Sequence, residues 1–179
     1  MRTGYFLRQS IGLGALLLLL VLGPQPSFAQ SAGVAPAPIA DPEHGLALKR
    51  AGDQPLLFTP ERIAALPQVT VRVTQKTGKG EESTQWSGPL LWDVLTSSGL
   101  IDAAKHGEHP KLTLHAAGRD GYTVSVAVAE LSPEFENKQV IVADHLAGAA
   151  LPGGALRLIV PGDHRAGRSV RDLVRITVD

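Results

Sequence analysis

The chain has 179 residues, with 17 basic and 17 acidic side chains, 44% hydrophobic residues and no cysteine. The apolar fraction is enough for one packed domain, while the missing cysteine excludes disulfides, thiolate metal sites and a cysteine nucleophile. Balanced charge and few aromatics argue against a nucleic-acid binder, which needs a basic excess and stacking platforms.

Arg2 and Arg8 precede the apolar run Ile11–Leu22, which Gly23-Pro24 breaks before the small residues Ser27 and Ala29. This is the pattern of a cleavable secretory signal peptide, expected over residues 1–29. The run is shorter than the ~20 residues a spanning helix needs, and the alternative is a retained N-terminal anchor. Cleavage would leave a periplasmic or secreted protein with no membrane span. Arg8-Gln9 is not a twin arginine, so a general secretory route, crossed unfolded, is expected. Residues 30–45, with Ala35-Pro36-Ala37-Pro38, read as a flexible linker. The domain is expected over residues 46–179.

Thr59-Pro60-Glu61 predicts a helix start, with Thr59 as N-cap and Pro67 closing a short helix. Val69, Val71 and Val73 alternate with polar residues, which predicts a half-buried strand over Gln68–Thr74. Residues 77–85 form a loop or a hairpin. Pro89–Thr96 reads as a helix, with Leu90, Leu91, Val94 and Leu95 on one face and Gly99 at its C-terminal cap. Leu112 and Leu114, the turn Gly118–Gly121, and the alternation of Tyr122, Val124, Val126 and Val128 together suggest a β-hairpin. A helical turn is expected near Ala129–Leu131. Strands follow over Gln139–Ala143, of the fully buried kind, Leu156–Val160 and Leu173–Val178. The predicted class is α+β, mixed and β-rich.

Chemistry-bearing residues are sparse. His106-Gly107-Glu108-His109 has a spacing that could pair two imidazoles on a metal, but it precedes Pro110 without a helix to hold it, so a solvated loop is expected. His115, opposite in facing to Leu114, reads as a hydrogen-bonded structural histidine. No serine-hydrolase elbow is present, and Gly118–Gly121 leads into a strand, whereas phosphate loops lead into a helix. The richest stretch is Pro161–Arg171, where three arginines, Ser169 and glycine amides share one loop after a buried strand. It could grip an anion through bidentate, charge-assisted hydrogen bonds. Equally, it could be a solvated basic loop balanced by Asp163 and Asp172.

Over Phe58–Val178 the chain resembles the molybdopterin-binding domain of the sulfite oxidase family. The resemblance rests on ordered pieces: Trp86, Gly88, Leu91 and Leu95; Asp120-Gly121-Tyr122; Leu151-Pro152 with Leu156–Gly162; Arg168-Ser169-Val170-Arg171; and Ile176-Thr177-Val178. It implies a mixed, largely β fold and a pterin cofactor whose phosphate the basic loop grips, through Arg168, Ser169 and Arg171, with Arg157 as a further candidate. Arg157 could instead form an ion pair fixing the sheet.

The departure lies in the metal ligand. Family enzymes hold molybdenum through a cysteine thiolate, expected near Gln75-Lys76-Thr77, and this chain has none. Asp172 stands where the enzymes usually carry an aromatic. Family holoenzymes receive molybdopterin before export, which conflicts with a chain that crosses unfolded. The expectation is therefore a family fold without the thiolate-ligated centre, binding a small anion or a periplasmic protein partner. The alternatives are a genuine molybdopterin-dependent oxidoreductase, or a subunit of one, and a structural interaction module with no small-molecule ligand.

Overall fold

The computed structural model describes residues 44–179, with Lys79 set aside. The leader and nearly all of the expected linker lie outside the described residues. Eleven strands are found among the described residues, with three short α-helices, in the β-rich α+β architecture predicted above.

The chain opens with β1 (Leu46–Arg50) and β2 (Leu56–Phe58), which pair antiparallel. Helix α1 (Pro60–Ala64) starts as its sequence predicts, with the Thr59 hydroxyl accepting from the Arg62 N–H. Next come β3 (Gln68–Thr77) and β4 (Gly80–Pro89), ten residues each in unbroken antiparallel register. The segment from 77 to 85 is thus a hairpin, and the strand from Gln68 runs past Thr74 to Thr77. Helix α2 (Leu91–Ser97) begins two residues later than expected, because Pro89 still pairs with Gln68 and Leu90 bridges to Ile141. Gly99, at φ +76°, closes α2, its N–H donating to the Thr96 carbonyl.

Strands β5 (Thr113–Gly118) and β6 (Thr123–Ala127) form the second hairpin, followed by α3 (Val128–Leu131). After β7 (Ile141–Ala143), the two-residue strands β8 (His145–Leu146) and β9 (Ala149–Ala150) extend the β3–β4 hairpin. Finally β10 (Arg157–Ile159) pairs with β7, and β11 (Leu173–Val178) closes the chain.

Three sheets result. The five-stranded sheet has the order β2-β1-β11-β5-β6, the four-stranded sheet β3-β4-β8-β9, and β7–β10 form a ribbon. That ribbon is apolar on both faces. Val142 and Leu158 join the main core with Leu48, Leu114, Ile176, Val94 and Leu131, whereas Ile141, Ala143 and Ile159 pack with Val71, Val73 and Trp86. A two-sided core strand explains the continuous apolar run, since neither face has water to meet.

The expected solvated loop holds at His106 and Gly107, which are exposed, but not at His109. His109 is buried, its Nδ1 paired with the Ser132 hydroxyl at 3.0 Å and its Nε2 with the Asp102 carbonyl at 3.1 Å. A carbonyl only accepts, so Nε2 carries a proton. Trp92 packs edge-on to the ring. Desolvation is tolerated because both ring nitrogens have partners.

Gly88 explains one part of the family motif. A Cβ there would run into the Val142 carbonyl oxygen and lie 2.7 Å from the Ala143 Cα, so only glycine lets β4 approach β7. Gly88→Ala should therefore destabilise the fold by about 2–3 kcal/mol in urea unfolding. Gly107→Ala, which meets nothing within 4 Å, should change stability by less than about 0.5 kcal/mol.

Candidate functional site

The four arginine and serine candidates lie in two separate environments. The Pro161–Arg171 loop begins after β10 and contains a 3₁₀ turn at Ala166–Arg168. It is held from two sides. The Lys76 N–H donates to the His164 carbonyl at 3.1 Å, and the Tyr122 hydroxyl donates to the Gly167 carbonyl.

Arg168 is fully engaged. Its Nε and Nη2 donate to Asp163 Oδ2 and Oδ1 at 2.9 and 2.7 Å, a bidentate pair, while Nη1 donates to Glu130 Oε2 and Oε1 at 3.0 and 3.3 Å. Lys138 adds a contact to Glu130 Oε2 at 3.4 Å. Of the two acids anticipated as counterweights to the loop, Asp163 is used here. The other acid is Glu130, in α3, which nothing in the local sequence singles out. Ser169 follows the 3₁₀ turn, its N–H donating to the Ala166 carbonyl.

Arg157 and Arg171 meet elsewhere. The isolated backbone bridge Leu158↔Val170, with reciprocal hydrogen bonds of 2.9 and 3.1 Å, brings Arg171 beside Arg157, and the next bond, from the Leu173 N–H to the Leu156 carbonyl, shifts the register by one, so that Arg171 and Asp172 together oppose Arg157. Leu158 and Val170 both turn into the main core, so the two arginines flanking that bridge share the other face. The guanidinium of Arg157 stacks over the Trp86 ring, 4.7 Å from its centroid, and its Nε is buried without a hydrogen-bond partner. No ion pair fixes Arg157 among the described residues. Burial pushes its guanidinium below the ordinary arginine range, the Arg171 charge adds to this, and Asp172 opposes it. A cleft of about 210 Å³ opens beside the pair, lined by Leu151, Pro152, Ala155, Leu156 and Asp172. Asp172 itself takes a left-handed conformation (φ 44°), and its carbonyl accepts from the Arg119 N–H at 2.9 Å. Gly118 lets this turn close, since a Cβ there would lie 2.5 Å from the Arg171 carbonyl oxygen.

His115 is the hydrogen-bonded histidine its strand position implies, between Ser125 at 2.9 Å and Asp179 at 3.0 Å. Another cleft, on the solvent side of the four-stranded sheet, holds His145 bonded to Asp144 at 2.7 Å. Among the described residues, no three His, Asp or Glu side chains gather as a metal site. The donor set also fails the test for a thiolate-ligated molybdenum centre. The chain has no sulfur ligand beyond Met1, and the residues expected to carry the thiolate lie in the β3–β4 hairpin, where Lys76 pairs with Glu81.

The Arg168 network generates a pH prediction. Hydrogen bonds from Arg168 hold the Asp163 carboxyl below its usual range, outweighing partial burial. For Glu130, burial pushes upward, but the Arg168 hydrogen bonds and charge, with help from Ala127 and Lys138, leave the carboxyl lowered. Depressed carboxyls stabilise the fold above their unfolded values of about 4 and lose that contribution as pH falls through the folded values. Asp163→Asn should therefore cost stability at pH 7, with the gap to the parent closing below about pH 4, as read by urea unfolding across pH.

The model of the oxidoreductase molybdopterin-binding domain matches residues 33–179. No curated protein matches the sequence. Among solved structures, the sulfane dehydrogenase SoxCD from Paracoccus pantotrophus is similar in fold, with a TM-score of 0.58 at 18% identity. The match covers 79% of this chain but only 40% of that one, so the chain spans less than half the length of this relative. With the family model matching most of its length, this chain belongs to the oxidoreductase molybdopterin-binding domain family.

Proposed function

We propose that the protein is an exported member of this family that works without a thiolate-ligated molybdenum centre and binds a small oxyanion, or an anionic group on a periplasmic partner, between Arg157 and Arg171. The observation that carries this reading is the buried Arg157 guanidinium, unpartnered at Nε with Arg171 beside it. The Arg171 charge beside Arg157 is only partly offset by Asp172, and a buried guanidinium Nε with no acceptor costs about 1–3 kcal/mol or more. An anion in the adjoining cleft removes both penalties at once. Trp86 supports the site from below by fixing the Arg157 plane, which leaves the fork of guanidinium donors pre-organised for a planar or tetrahedral oxyanion. Ser169 and Arg168 lie beside this cleft in sequence, but Arg168 already holds two carboxylates and serves as a brace.

Export is part of the proposal. The leader pattern over residues 1–29 supports it, and mass spectrometry of protein recovered outside the cytoplasm should find Gln30 as the first residue.

The site is tested by melting the protein in phosphate or sulfate against chloride at constant ionic strength. Both anions also stabilise proteins generally through surface exclusion, so the decisive quantity is the difference between parent and Arg171→Ala. Arg171 is exposed and makes no side-chain hydrogen bond among the described residues, so the variant should fold normally. At ten times Kd, the parent should gain about 3–5 °C more than the variant. Equal responses would sink the anion site and favour a purely structural interaction module. Stoichiometric molybdenum or tungsten in protein purified from its native compartment would instead establish the oxidoreductase reading.

A further inference from the structure

We infer that Ser125, His115 and Asp179 form an acyl-transfer site on the outer face of the five-stranded sheet, with Ser125 as nucleophile toward unhindered carboxylic esters. The three side chains come from neighbouring strands, and the register sets their places. Ser125 in β6 lies opposite His115 in β5. Asp179 directly follows β11, its backbone exchanging hydrogen bonds of 3.1 and 2.8 Å with Thr113. Leu114, Val124, Val126, Ile176 and Val178 fill the core, so by alternation His115, Ser125 and Asp179 share the opposite face. There His115 Nδ1 lies 2.9 Å from the Ser125 Oγ, and His115 Nε2 lies 3.0 Å from Asp179 Oδ1. The serine is exposed.

The polarity of these hydrogen bonds is that of an activated serine. An ionised carboxylate only accepts, so Asp179 holds the ring proton on Nε2 and leaves Nδ1 of the neutral imidazole as an acceptor. The Ser125 hydroxyl then donates to Nδ1, which sets a base on the nucleophile and an orienting carboxylate on the base. Such a constellation is defined by geometry and roles, so the missing elbow motif is no obstacle. The sheet also supplies a donor for the oxyanion. Backbone bonds from Gly118 to Tyr122 and from Val128 to Leu112 show that the even-numbered residues of β5 carry its bonds to β6. His115 and Ser125 are therefore a non-hydrogen-bonded pair, where side chains approach most closely and backbone groups point away from the partner strand. Because β6 is the edge of the sheet, the Ser125 N–H points outward beside its own hydroxyl. In the reaction Ser125 Oγ attacks the ester carbonyl carbon as its proton passes to Nδ1, and the N–H meets the charge developing on the carbonyl oxygen. The ester C–O bond then breaks, the alcohol leaves with the proton from Nδ1, and water releases the acid by the same two steps. The net change is ester and water to acid and alcohol. This site shares no residue with the Arg157–Arg171 cleft and stands independently of it.

The test is covalent labelling of the full chain with a fluorophosphonate, followed by peptide mass mapping, together with hydrolysis of p-nitrophenyl acetate. The parent should carry one phosphonyl group, on Ser125. Ser83, also exposed and bonded to the Thr74 hydroxyl at 2.6 Å, has no imidazole beside it and should stay unlabelled. His115→Gln should slow labelling at least about 100-fold. Asp179→Asn should slow it about tenfold or more, since an amide can donate to the ring and reverse the tautomer. Asp179→Glu, which restores the carboxylate, should recover part of that loss, an effect that a purely structural role would not produce. Ser125→Ala should abolish ester turnover while unfolding in urea at the parent's midpoint, because the side chain is exposed. His145→Ala, in the separate cleft on the four-stranded sheet, should leave labelling unchanged. A folded parent that takes no label at Ser125 would overturn the inference. So would labelling that His115→Gln leaves as fast as before, or ester hydrolysis that survives Ser125→Ala, because surface imidazole alone would then account for the chemistry.

Discussion

Strand β11 is the constraint on which the other features depend. It runs parallel to β1 on one side and antiparallel to β5 on the other, with Leu173, Ile176 and Val178 buried. A strand hydrogen-bonded along both edges has little freedom to shift, and a one-residue slip would turn its apolar set to the wrong face. The residues just before it inherit that rigidity. Val170 bridges back to Leu158, which brings Arg171 beside Arg157, and Asp172 turns through a left-handed conformation to enter the strand. The close passage of Gly118 against the Arg171 carbonyl then locks the β5–β6 turn to the same corner.

The fold collects positive charge at this corner and treats it in two ways. At Arg168 the charge is neutralised within the protein by acids from a loop and a helix. At Arg157 and Arg171 no acid lies within ion-pairing distance among the described residues, and the nearest apolar support is the face of Trp86. The contrast is physical as well as geometrical. The first arrangement satisfies its donors and braces the loop, whereas the second leaves a buried Nε without an acceptor.

Much of the architecture was legible because local patterns and tertiary packing agree. The alternation of Val69, Val71 and Val73 survives as the buried side of β3, Thr59-Pro60 caps α1, and Leu173–Val178 is β11 to the residue. Other parts had no local signal. β8 and β9 are two residues each and exist only as additions to the β4 edge. Short strands such as β2 carry too few residues to display a period, and β1 reads as a strand only once β11 lies beside it. The late start of α2 follows from the pairing of Leu90 with Ile141, about fifty residues away in the chain, against which helix propensity is a weak preference. The burial of His109 has no local signal, because a polar segment around Pro110 looks like a loop until Ser132 and Trp92 close over it.

By itself, the sequence determined the absence of a thiolate ligand, the β-rich class, the order of the family's motifs and the presence of a basic loop after a buried strand. These are properties of composition, alternation and spacing, which need no partner to be read. Tertiary structure alone decided which arginines are neutralised by acids and which are not. That choice depends on Glu130 and Trp86, residues far from the loop in sequence, and electrostatic interaction is governed by distance in space and burial, neither of which a linear charge count contains.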